Sequence, residues 1–122
     1  MENRLLKQGN GWRLGFNSAS ETYQGLVGGE DWAIELTTAE WQDFYRLVTQ
    51  LSDTMQAMTA ELMDGEKIAC EAESDLIWVE VAGYPHAYEL RLILSQGRRC
   101  EGNWPPDVVP ELIRALQTWT VF

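Results

Sequence analysis

The chain is short of the groups that carry most catalytic and metal chemistry. It has one histidine, His86, and two cysteines, Cys70 and Cys100, in 122 residues. Two thiols are too few for a disulfide framework or a four-cysteine zinc site. Basic residues are scarce too: 9 Lys and Arg stand against 19 Asp and Glu, a formal net charge of −10. Such a charge repels phosphate backbones at long range and favours solubility. No apolar run approaches the roughly 18 residues that span a bilayer. The opening MENRLLKQGNGW has no apolar core long enough for a signal peptide. The expected location is therefore cytoplasmic. Glycine-rich GLVGGED lacks a Gly-Lys-Thr/Ser ending and does not open a helix directly, so it is no phosphate loop.

Apolar material is plentiful. Hydrophobic residues make up 45% of the chain and include six Trp. That is enough for one core without metal or disulfide staples, and residues 1–122 fit a single domain. The acidity is concentrated: residues 30–80 carry 13 acids against Arg46 and Lys67.

Alternating side chains predict strands over residues 11–16, 23–29 and 31–36. The glycines of the second suggest a bulge or a close approach. TTAE then supplies a helix start, with Thr37 or Thr38 as cap and Glu40 three residues beyond Thr37. Trp41, Phe44, Val48, Leu51, Met55, Met58 and Leu62 recur at 3,4 spacing, which predicts an amphipathic helix over about residues 38–64. Gly65 would end it. Four further strands follow, over 66–74, 75–82, 87–95 and 98–104. A last helix covers about 108–119, with Asp107 as the expected cap and Pro110 confined to its first turn. The plan βββ-α-ββββ-α means α+β with antiparallel sheet, and its two halves look duplicated at the level of elements.

A first helix of about 27 residues would be about 40 Å long. A strand of usual length, about 17–20 Å, covers roughly half of that. Met55, Met58 and Leu62 are therefore expected to form an apolar patch at a homodimer or partner interface. A diagonal crossing over several strands would cover more of the helix, and for Met55, Met58 and Met63 core or interface packing is a plainer reading than an adaptable binding face.

The segment CEAESD, residues 70–75, looks most like chemistry. In a strand Glu71 and Glu73 share one face, while Cys70 shares the other with Ile68 and Ala72. Glu80 on the next strand can approach Glu71 or Glu73, as a carboxylate dyad or a cation site. A solvent-facing strand explains the pattern without either. His86 follows Pro85 in a turn and has no catalytic neighbours in sequence. Arg13, Arg91, Arg98 and Arg99 all fall on expected strands near Trp12, Trp78, Tyr88 and Trp104. Together they make a candidate single-strand nucleic-acid face. Cross-strand pairing with Glu71, Glu73, Glu80, Glu89 and Glu101 would neutralise it.

GLVGGEDWAIELT, LMDGEKIACEAESDLIWVEVAGYPHAYELR and GRRCEGNWPPDVVPELI resemble an uncharacterised cyanobacterial family of small acidic proteins. The likeness runs from about residue 11 to 122. It implies a fold similar to the Whirly and positive-cofactor-four single-stranded-DNA-binding regulators. It implies no activity and no catalytic residues. The expectation is a non-enzymatic binding module that engages a protein partner as a homodimer, with no catalytic residues, metal or cofactor. The alternative is a single-stranded nucleic-acid-binding transcriptional regulator.

Overall fold

The apolar alternation of the strands and the 3,4 stripe of the long helix converge on one core. The computed structural model describes residues 4–61, 65–95 and 97–119. In chain order these form β1 (Arg4–Gly9), β2 (Trp12–Asn17), β3 (Gly25–Gly28), β4 (Ala33–Leu36), α1 (Thr38–Met58), β5 (Ile68–Glu73), β6 (Ile77–Tyr84), β7 (Ala87–Leu94), β8 (Glu101–Trp104) and α2 (Val109–Gln117). Two four-stranded sheets result, in the orders β1-β2-β3-β4 and β5-β6-β7-β8, with every pair antiparallel. Each sheet is followed by a helix, and the class is α+β.

One strand is added to the plan read from the sequence. RLLKQG forms β1 and pairs along its whole length with β2, from Arg4↔Asn17 to Gly9↔Trp12. The arrangement is therefore ββββ-α-ββββ-α. Alternation is weak in β1 because the inward side chains include Lys7. Its ammonium donates to the Thr118 carbonyl at 3.2 Å and the Thr118 hydroxyl at 3.1 Å, with a longer contact to the Ala115 carbonyl. These acceptors lie at the C-terminal end of α2, where free carbonyls and the helix dipole favour a cation.

The helix start TTAE behaves as its chemistry dictates. Thr37 Oγ1 accepts from the Glu40 N–H at 3.2 Å, and Glu40 Oε1 accepts from the Thr37 N–H at 2.8 Å. This closes a capping box. The helix stops at Met58 rather than near residue 64. The Thr59 N–H turns back to the Gln56 carbonyl at 3.2 Å and its hydroxyl to the Met55 carbonyl at 3.2 Å, which satisfies the end. Gly65, at φ +91°, lies beyond that turn and is not the terminator. For α2 the cap residue is Val108, not Asp107, and it makes no side-chain cap bond. Pro110 does fall in the first turn.

α1 packs against β3 and β4 of the first sheet, β5 and β6 of the second, and α2. Being covered from both sheets changes the fate of its stripe. Trp41, Phe44 and Met55 are fully buried, with Val48 and Leu51 beside them. They meet Leu14, Val27 and Leu36 of the first sheet and Val79, Val81, Leu90 and Leu92 of the second in one continuous core.

Candidate interaction faces

The outer face of the second sheet is set by register. One row across it reads Glu71, Glu80, Arg91, Asn103, and the next reads Glu73, Trp78, Ile93, Glu101. Val79, Val81, Leu90 and Leu92 point the opposite way, into the core. Trp78 and Ile93 lie side by side and half-buried within a frame of glutamates.

CEAESD divides as strand alternation requires. Ile68, Cys70 and Ala72 pack on the core, whereas Glu71 and Glu73 are exposed. Glu71 does sit directly opposite Glu80. Each has a different companion, however. Glu71 Oε2 accepts from the Trp78 indole N–H at 3.1 Å, and Glu80 lies 4.0 Å from Arg91. Among the described residues no group of three or more His, Cys, Asp or Glu side chains is placed to hold a metal ion.

The four arginines do not make one face. Arg13 is on β2 of the first sheet, where it lies over Gly28 and donates to the Trp32 carbonyl at 3.4 Å. Arg91 is on β7 of the second sheet, between Glu80 and Glu101 at 4.0 and 3.8 Å, with its guanidinium 5.7 Å from the Trp78 ring centre. The expected cross-strand neutralisation is present there. Its pairs are solvent-accessible and add little stability. Arg98 and Arg99 precede β8 and are not on a strand. Arg99 adopts φ +53°, an uncommon left-handed conformation for a residue with a β-carbon.

Arg98 is turned inward. Its guanidinium binds the Glu40 carboxylate and the Glu35 carbonyl and lies 4.4 Å from the Tyr23 ring centre. It thus ties the β7–β8 connection to the first half of the chain and neutralises a buried glutamate. Sequence reasoning assigned Glu40 only its capping role, and nothing local flags a partner 58 positions away.

The patch expected at the end of α1 is also revised. Met55 has no exposed surface and belongs to the core. Met58 is half-buried. Leu62 and Met63 lie outside the described residues. The one large hydrophobic side chain clearly exposed among the described residues is Leu6, at 51%. Leu6 and Leu26 lean together over Gly15 on the outer face of the first sheet, where a β-carbon on Gly15 would lie 3.4 and 3.5 Å from them.

A seam joins the sheets near β4 and β8. Trp32 packs at a tilt of 55° against Trp104 with ring centres 4.9 Å apart, and Trp104 meets Phe44 at 5.8 Å. The Trp104 indole donates to the Gly28 carbonyl at 2.9 Å. A β-carbon on Gly29 or Gly102 would fall 2.2 Å from the Trp32 ring, so both positions need glycine for this close approach. The glycines of GLVGGED thus serve packing.

His86 is exposed in the β6–β7 turn, with its ring 5.8 Å from that of Tyr84. Nearby, burial raises the Tyr88 phenol above its ordinary pKa, while a hydrogen bond with Ser52 works the other way. The phenol therefore stays neutral at physiological pH.

No helix of the described residues is long and apolar enough to cross a membrane. A family model described as a domain of unknown function, DUF1818, matches residues 7–119. The chain is similar to a crystal structure of a protein of unknown function from Prochlorococcus sp. NATL2A, labelled as from the DUF155 family. The two share 34% sequence identity at a TM-score of 0.88, over 93% of this chain and 97% of the other. No curated protein matches.

Proposed function

The chain belongs to the DUF1818 family of domains of unknown function, and from that premise we propose a non-enzymatic binding module that engages a protein partner. The observation that carries this reading is the outer face of the second sheet. Half-buried Trp78 and Ile93 adjoin one another there, framed by Glu71, Glu73, Glu80 and Glu101. An apolar centre with a charged rim is the usual anatomy of a protein-binding surface, and aromatic residues are enriched at such centres. The rim favours a partner carrying lysine or arginine. We place the protein in the cytoplasm, a reading supported by two unpaired cysteines, Cys70 and Cys100.

Ile93→Asp is expected to abolish recovery of the partner in cross-linking from native lysate, because it puts an unpaired charge at the centre of the contact. The melting temperature should fall modestly, because Ile93 is half-buried and the new carboxylate stands opposite Glu101, so recovery is compared at a temperature where both proteins are folded. Equal recovery by wild type and variant would remove this face from the reading.

The homodimer is part of the same proposal, with its contact moved to Leu6 and Leu26. Sedimentation equilibrium at tens of micromolar should show a wild-type dimer and a weakened Leu6→Asp variant. A monomeric wild type overturns this element.

The alternative, a single-stranded nucleic-acid-binding transcriptional regulator, has the resemblance to Whirly and positive-cofactor-four proteins behind it. The net charge of −10 and the dispersal of Arg13, Arg91 and Arg98 weigh against it. Fold alone does not carry function. Fluorescence titration with a single-stranded oligonucleotide should show negligible affinity at about 0.15 M salt, where charges more than about 8 Å apart are already screened. Micromolar binding that is lost in an Arg13→Glu, Arg91→Glu double variant would put the alternative first.

A further inference from the structure

The β6–β7 turn, the middle of α1 and one flank of α2 surround a half-open cavity of about 260 Å³. One wall is apolar and stiff, and the rest is polar. Pro85 comes from the β6–β7 turn, Pro106 from the turn before α2 and Pro110 from the first turn of α2, so three of the four prolines in the chain line it. Val109 and Ile113 continue the apolar wall. Fixed proline rings need no ordering when a ligand enters, which lowers the cost of binding.

The polar groups of the cavity have one electrostatic character. Its eleven lining residues include no Asp or Glu, although the chain has 19. They do include Arg114 and His86. Arg13, Arg46, Arg91 and Arg98 each have a hydrogen-bonding or ion-pair partner within the chain. The Arg114 guanidinium has none among the described residues, and its fork of donors is available at the mouth. Ser52 and Tyr88 also line the cavity, and each brings a hydroxyl able to donate.

We propose that this cavity binds a small carboxylate with a flat apolar body, about the size of a single ring. The carboxylate takes the paired N–H donors of Arg114, the arrangement in which arginine binds carboxylates most strongly. The ring lies among the prolines, Tyr88 and His86. The volume falls below the roughly 300–1,000 Å³ of drug-sized sites, which sets the one-ring limit. This site is separate from the Trp78–Ile93 face, so the two readings stand or fall independently.

His86 is the only histidine, so its imidazole C–H signals in a proton NMR spectrum report on the cavity without ambiguity. Benzoate should shift them saturably, with a dissociation constant in the millimolar range or tighter. Benzamide, which keeps the ring and loses the charge, should bind at least tenfold more weakly. Acetate, which keeps the charge and loses the ring, should do the same. Arg114→Gln, at an exposed position, should leave the melting temperature unchanged and weaken benzoate at least tenfold. The proposal fails if benzoate produces no saturable shift. It fails equally if benzamide or acetate matches benzoate, or if Arg114→Gln binds benzoate as the wild type does.

Discussion

Trp104→Ala is expected to be the most damaging single substitution in the seam between the sheets. Trp104 is fully buried. Emptying a buried tryptophan site costs about 3–5 kcal/mol. The bond from its indole N–H to the Gly28 carbonyl, 2.9 Å long, would also be lost, for about 1 kcal/mol more. Trp32 and Phe44 lose the ring that they pack on. A domain of this kind has about 5–15 kcal/mol in total, so the variant should sit close to unfolding at room temperature. Urea denaturation measures this directly. Trp104→Phe keeps an aromatic ring and should lose substantially less. An alanine variant within about 1 kcal/mol of wild type would mean that the seam contributes little to stability.

Arg98→Leu should be the next most costly change, for an electrostatic reason. The Glu40 side chain is 8% exposed and that of Arg98 28%. Breaking a buried pair from one side costs about 3–5 kcal/mol. Arg98 is partly solvated and Glu40 still accepts from the Thr37 N–H, so a discounted value of about 2–3 kcal/mol is expected. Glu40→Gln preserves the capping box, because glutamine can make the same reciprocal bond. A double-mutant cycle over these two substitutions should give a coupling of about 1–2 kcal/mol. Strict additivity would show that Arg98 acts through Tyr23 and the Glu35 carbonyl rather than through the carboxylate.

The expected pairing of Arg91 with a glutamate appears because both lie on outward positions of adjacent strands, and register then makes them neighbours. Arg98 is the opposite case. Its sequence context, among alternating residues before an aromatic, matches a strand, yet its side chain crosses to the other half of the molecule. The candidate cavity was equally invisible in sequence. Ser52, His86 and Arg114 are far apart in the chain and come from α1, the β6–β7 turn and α2.

Most strands, the capping box of Thr37 and Glu40, and the apolar stripe of α1 were determined by the sequence itself. They depend on residues two to four positions apart, whose relative geometry the backbone already sets. Tertiary structure alone decided what covers each face. Lys7 could point inward only because the free carbonyls at the end of α2 lie there. Met55 is core rather than interface because α1 is covered by elements of both sheets. Glu40 can be buried because a guanidinium 58 residues away reaches it. Contacts of that kind depend on how separate elements dock, and no local periodicity encodes the docking.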